Sequence, residues 1–165
     1  MKYAIGPRKQ VGIRTIFNIL GPLTNPAGAK RQILGVFADK LTEILAQVLG
    51  NLGSKDVMVV HGQDGLDEVT ISDGTKVSRY KGGTVDTFYV TPEDFGLRRV
   101  EIKSILGGDK DENARILISV LNGEQGPKRD VALMNTATAL VVAGRTESFK
   151  DAFLIASDAI DSGNA

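Results

Sequence analysis

The sequence predicts an α/β fold with few parallel strands, an antiparallel excursion and helices at its C-terminal end. Three observations carry that prediction. Residues 33–37 (Ile-Leu-Gly-Val-Phe) and 57–60 (Val-Met-Val-Val) are unbroken apolar runs, the mark of strands buried on both faces. Between them, Leu41, Ile44, Leu45, Val48, Leu49 and Leu52 fall at helical spacing, which completes a βαβ unit. Beyond residue 110 the apolar positions recur with helical rather than alternating period.

Taken in order, Ile13, Ile16, Phe17 and Leu20 form one face of a helix over residues 12–20, and Gly21-Pro22 is expected to end it. Asp39 reads as the N-cap of the βαβ helix and Gly53 as its stop. Residues 68–71, 75–80 and 84–90 are β-rich, and the turns at 72–74 and 81–83 make them three short antiparallel strands. Thr91-Pro92-Glu93-Asp94 starts a short helix that Gly96 stops. Ala114, Leu117, Ile118 and Leu121 form an apolar stripe. Residues 131–143 are apolar almost all round and predict a buried helix. Phe149, Ala152, Phe153, Ala156 and Ile160 line the inner face of a last one.

No repeat or Pro/Ser-rich linker interrupts the 165 residues, so 1–165 is expected to be a single domain. Two convincing parallel strands make a thin sheet for this many helices. Part of the sheet is therefore expected on an upstream segment or another chain.

Composition narrows the function. Lys and Arg number 20 against 20 Asp and Glu, with no aromatic interleaving, so nothing draws the chain to nucleic acid or an anionic membrane. There is no Cys, which removes disulfides, thiolate nucleophiles and Cys-ligated zinc, and one His cannot build a multi-histidine centre. No apolar run approaches the roughly 18 residues of a membrane span, and the first residues lack a signal-peptide core. A cytoplasmic location is expected.

The strongest candidate site is His61-Gly62-Gln63-Asp64-Gly65-Leu66-Asp67-Glu68. It follows a buried strand, where ligands bind in α/β sheets. Its three acids suit a hard cation such as Mg²⁺, which commonly takes one or two carboxylates plus substrate phosphates. Spacing alone leaves a solvated acidic turn as the alternative. His61 reads as a structural hydrogen bonder, since no Ser or Asp forms a triad with it. Arg8, beside Lys9, offers a fork for a carboxylate or phosphate, or is a basic surface turn. The segment 18–26, with Gly21-Pro22 and Asn25-Pro26, makes a stiff corner or simply closes a loop. Gly107-Gly108-Asp109 reads as a turn followed by an Asp cap rather than a phosphate loop.

Residues 12–26, Gly-Ile-Arg-Thr-Ile-Phe-Asn-Ile-Leu-Gly-Pro-Leu-Thr-Asn-Pro, closely resemble a signature of the anthranilate phosphoribosyltransferase family. Val60-His61-Gly62 with Gly65-Leu66-Asp67-Glu68 is similar to the family's second signature. Asn113-Ala114, residues 126–130 and the helix over 135–143 look like its C-terminal helices. The resemblance implies the C-terminal part of a large domain of the nucleoside phosphorylase/phosphoribosyltransferase type. It implies transfer of phosphoribosyl from phosphoribosyl pyrophosphate to anthranilate, in tryptophan biosynthesis, with Mg²⁺ as cofactor. By the same resemblance Arg8 binds the anthranilate carboxylate, Gly21 and Pro22 line the anthranilate path, and Asp67 and Glu68 hold the metal. No catalytic acid or base is implied.

The family's chain is about twice this long, in line with a two-domain length. Its N-terminal helical domain, its Gly-Thr-Gly-Gly-Asp loop for the ribose phosphates and its Lys-His-Gly-Asn segment do not occur here. The chain is expected to be the C-terminal half, inactive alone, and to self-associate or meet a complementing N-terminal segment. The alternatives are a truncated, non-catalytic binding or interaction fragment, or a relative of pyrimidine-nucleoside phosphorylases.

Overall fold

The computed structural model describes residues 17–165, with Gly6 and Gly12 before them. Helix α1 spans Phe17–Leu23, strand β1 Arg31–Gly35, helix α2 Leu41–Asn51 and strand β2 Asp56–Gly62. Strands β3 (Thr75–Lys81) and β4 (Thr84–Val90) follow, then short 3₁₀ turns at Pro92–Phe95 and Ile102–Ile105. Three helices complete the chain: α3 (Lys110–Leu121), α4 (Pro127–Val142) and α5 (Phe149–Asp161). Among the described residues no helix is long and apolar enough to cross a membrane.

The sheet has the order β1-β2-β3-β4. β1 and β2 are parallel, with Ile33 opposite Met58, and the other two pairs are antiparallel. The apolar run of β2 is explained by its two covered faces. Val57 and Val59 point to Leu45, Ala46 and Leu49 of α2. Met58 and Val60 point the other way, to Val77, Val90 and the α4 residues Met134, Ala137 and Val141. The turn between β3 and β4 is two glycines, Gly82 and Gly83, at φ 63° and 96°. Positive φ at both positions is what a tight hairpin of this twist demands.

Several expectations need correction. Gly21-Pro22 does not end α1, because Pro22 lies inside it. In the last turn a proline forfeits little of the ladder. The stop comes at Thr24, whose N–H and Oγ1 both donate to the Leu20 carbonyl (3.0 and 2.8 Å), just before Asn25-Pro26. Asp39 does not cap α2 through its side chain in the expected way: the N-cap is Lys40, and the Asp39 carboxylate accepts from the Lys40 N–H. Residues 68–71 are not a strand. The apolar stripe of α3 faces outward, with Leu117 and Ile118 about 60% exposed, because the inward side of the helix carries Ile116, Ser119 and Val120. Helix α4 is buried on one face only: Ala132, Thr136 and Ala139 are exposed.

A buried carboxylate ties the sheet to the helices. Asp56, 2% exposed, accepts two hydrogen bonds from the Arg79 guanidinium (2.9 and 2.7 Å). Arg31 and Lys81 lie within 3.6 and 3.9 Å of it. Arg31 also donates to the Val142 carbonyl at the end of α4 (2.6 Å), where a cation suits the helix dipole. Truncating Asp56 would leave Arg79, its stem buried, with only the exposed Glu147 carboxylate (3.3 Å) on its fork. Asp56→Ala is expected to lower unfolding stability by about 2–4 kcal/mol, read from urea midpoints. A change within the error of a surface substitution would mean the pair is mere decoration.

Candidate functional site

The candidate residues converge on the C-terminal ends of β1 and β2. Gly35 ends β1, and its backbone is pressed against the loop that follows β2. A Cβ at Gly35 would overlap the Asp67 carbonyl oxygen. On the other side Pro22 of α1, with Leu34, Gly35, Val36 and Leu41, lines a small apolar cleft of about 60 Å³. Ligand pockets usually hold roughly 300–1,000 Å³. The cleft is therefore one wall of a site rather than a whole one. Pro22 and Asp67 thus flank the same glycine. Gly21 sits in the last turn of α1 next to Pro22. Arg8 lies outside the described residues.

His61 joins the two strand ends. Its Nδ1 lies 2.7 Å from the Val36 carbonyl, which can only accept, so Nδ1 carries the proton. That is the structural role expected of it. After Gly62 the chain folds on itself. The Gly62 N–H donates to the Leu66 carbonyl (2.8 Å), and the Gly65 N–H to that of Gly62 (2.9 Å). Gly65 takes φ +96°, which a side chain would strain.

The three acids of this loop part company. Asp64 turns inward: its carboxylate accepts from Thr70 Oγ1, Ser72 Oγ and the Leu66 N–H. Burial pushes its carboxyl up, but hydrogen bonds from Ser72, Thr70 and the backbone outweigh this and hold it below the ordinary 3.8. Asp67 and Glu68 face outward, and neither side chain forms a hydrogen bond or ion pair among the described residues. Two adjacent, unpaired carboxylates are a chemically suitable donor set for a hard cation. They are not a closed cage, since no three acids or imidazoles converge among the described residues. Further oxygen donors would have to come from elsewhere, as substrate phosphates do for Mg²⁺.

Sequence reasoning missed the residue that holds the far side of this loop. Asn135, on α4, accepts from the Val69 N–H (3.0 Å) and donates to the Val69 carbonyl (2.9 Å) and to Val131 (3.0 Å). A lone amide within an apolar helical run was the available signal, because a buried amide has to find partners. Gly107-Gly108-Asp109 is the cap it was expected to be. Asp109 accepts from the N–H groups of Asp111 and Glu112, both at 2.9 Å.

Asp64 gives a prediction with a sign. A carboxyl held low in the fold stabilises it above pH 3.8, and that contribution disappears as the pH falls below the folded value. Asp64→Asn is expected to be less stable than the unsubstituted chain at neutral pH, with the gap in urea unfolding narrowing as the pH falls below 3.8. A gap independent of pH would contradict it.

Comparison with known proteins places these residues in context. The glycosyl transferase family, a/b domain, matches residues 1–165. Anthranilate phosphoribosyltransferase of Methanobrevibacter smithii is 50% identical over 165 residues, all of this chain and 49% of that protein. The protein of the same name from Symbiobacterium thermophilum is 53% identical over 165 residues, all of this chain and 48% of its own length. Among solved structures, the Saccharomyces cerevisiae enzyme in complex with PRPP and Mg superposes with a TM-score of 0.86 at 35% identity, over 95% of this chain and 46% of that one. The Thermus thermophilus enzyme gives 0.87 at 36% identity, over 99% and 48%. The chain spans about half the length of the curated relatives it matches.

Proposed function

The chain belongs to the glycosyl transferase family, a/b domain, and we propose that it forms the acceptor-side and metal-side half of an anthranilate phosphoribosyltransferase. The observation that carries this reading is the outward Asp67–Glu68 pair set beside the Pro22 corner, with Gly35 between them. The names of the relatives, and the PRPP and Mg bound in the yeast structure, support it.

In the proposed reaction the amine nitrogen of anthranilate bonds to the anomeric carbon as the bond from that carbon to pyrophosphate breaks. The nitrogen then loses a proton. The residues of this chain position and neutralise. Arg8 would pair its fork with the anthranilate carboxylate. Gly21 and Pro22 would line the path of the aromatic ring, with the apolar cleft behind them. Asp67 and Glu68 would hold Mg²⁺, which when bound offsets the charge growing on the leaving pyrophosphate. No residue of this chain is assigned proton transfer, and His61 is committed to the strand.

The ribose phosphates need a loop this sequence does not contain, and we assign it to a complementing N-terminal segment. β1 offers that segment a place, since its only strand partner among the described residues is β2. An unpaired parallel edge readily accepts another strand. The pyrimidine-nucleoside alternative is set aside because the relatives carry the anthranilate name.

The test follows loss of anthranilate fluorescence with phosphoribosyl pyrophosphate and Mg²⁺. The 165 residues alone are expected to show no turnover. Mixing them with the N-terminal half of the M. smithii relative is expected to restore it. In that mixture Asp67→Asn and Glu68→Gln should each lower kcat by about 10²-fold or more, the scale of losing one preorganised electrostatic group. Arg8→Ala should act mainly on the KM for anthranilate. Turnover by the chain alone, or full activity in the acid variants, would overturn the reading.

A further inference from the structure

We propose that Gly35 and Asn135 are positioning residues for the Asp67–Glu68 pair, fixing its backbone from two sides. This rests on the reading of that pair as the cation site. Because neither carboxylate has a side-chain partner among the described residues, only the backbone sets where they point. That backbone belongs to no strand, so no ladder of hydrogen bonds holds it.

Two contacts replace the ladder. Within the pair, the carbonyl of Asp67, in the peptide that joins it to Glu68, lies against Gly35, where no side chain would fit. After it, Asn135 engages both polar groups of Val69, as a neighbouring strand would. Val69 is fully buried, so without Asn135 its N–H and C=O would lack partners in the core. Asn135 is itself well anchored. Its Nδ2 also donates to Val131 one turn back, and its neighbour Met134 is fully buried. A helix 66 residues further along the chain therefore clamps the peptide next to Glu68. Groups hydrogen-bonded directly to metal ligands are worth about 10- to 100-fold in metal affinity, and Gly35 and Asn135 act one step further back, on the ligands' backbone.

The experiment compares the chain with Asn135→Ala and Asn135→Asp, in two readouts. Asparagine and aspartate have the same shape, so the second variant keeps the packing and the acceptor for the Val69 N–H while removing the donor to its carbonyl. In amide hydrogen exchange, Val69 is expected to lose protection about tenfold or more in Asn135→Ala and less in Asn135→Asp. Val59, within the β2–β3 pairing, should keep its protection in both. Mn²⁺ titration followed by water-proton relaxation is expected to show weakened binding, by up to about tenfold for Asn135→Ala, the low end of the effect of a direct ligand partner. Gly35→Ala should weaken it too. A merely structural Asn135 would lower protection at Val69 and Val59 alike, and that result, or unchanged exchange at Val69, overturns the proposal. The cation reading fails separately, if Asp67→Asn with Glu68→Gln leaves Mn²⁺ binding as it was.

Discussion

A backbone that leaves a sheet but stays buried has to find new partners for its N–H and C=O groups. Residues 69–71 do this, and much of the molecule is arranged around them. Val69, Thr70 and Ile71 are fully buried, yet none is paired in a strand. Asn135 takes both polar groups of Val69, Thr75 Oγ1 accepts from the Thr70 N–H (3.0 Å), and the Ile71 carbonyl accepts from Val100 (3.3 Å). Side chains from β3 and α4 and a loop near residue 100 thus share one task. The apolar side chains of Val69 and Ile71 meanwhile fill the core between the sheet and α4.

The same arrangement explains why the acidic loop divides its charges. Asp64 is drawn inward by Thr70 and Ser72, two hydroxyls that the buried segment places beside it. Partly burying that carboxylate is tolerable because its oxygens are hydrogen-bonded. Asp67 and Glu68 lie between the tight turn at Gly65 and the clasp at Val69, and they remain in solvent. A loop held at both ends presents two unpaired carboxylates from a fixed backbone, which suits a cation brought in with phosphates better than a closed cage would. Across Gly35 stands Pro22, so the proposed acceptor and metal sides meet at the end of one strand.

Much of this was legible in the sequence. An unbroken apolar run marked β2 because both of its faces are covered, and the Gly82-Gly83 turn marked the hairpin; β1 was found two residues late, since it begins at the polar Arg31-Gln32 and ends at Gly35 with its apolar residues only half-buried. Residues 68–71 misled because their alternation of apolar and polar is that of a strand, while the choice between a ladder and side-chain partners is made by distant residues. The α3 stripe misled in another way. Its spacing describes an apolar face but not what lies opposite it, and Leu117, Ile118 and Leu121 face outward in these residues. The roles proposed for the acid pair and the Pro22 corner came through resemblance, since spacing alone left each with a plainer alternative. Asn135 and Gly35 were missed because their roles depend on contacts 66 and 32 residues away in sequence, which no local pattern records.

If the outward carboxylates of the loop after β2 form the cation-facing side of a phosphoribosyl transfer site, a divalent ion brought in with phosphates sits beside them. The most direct measurement is where a divalent ion sits. With Mn²⁺ and pyrophosphate added to the ¹⁵N-labelled chain, amide signals of residues 65–69 and of Gly35 should broaden first, and Asp67→Asn with Glu68→Gln should abolish the effect. Broadening centred elsewhere, for instance at Asp109 and Asp111, or broadening at residues 65–69 that survives the double substitution, would rule out a cation site on Asp67 and Glu68.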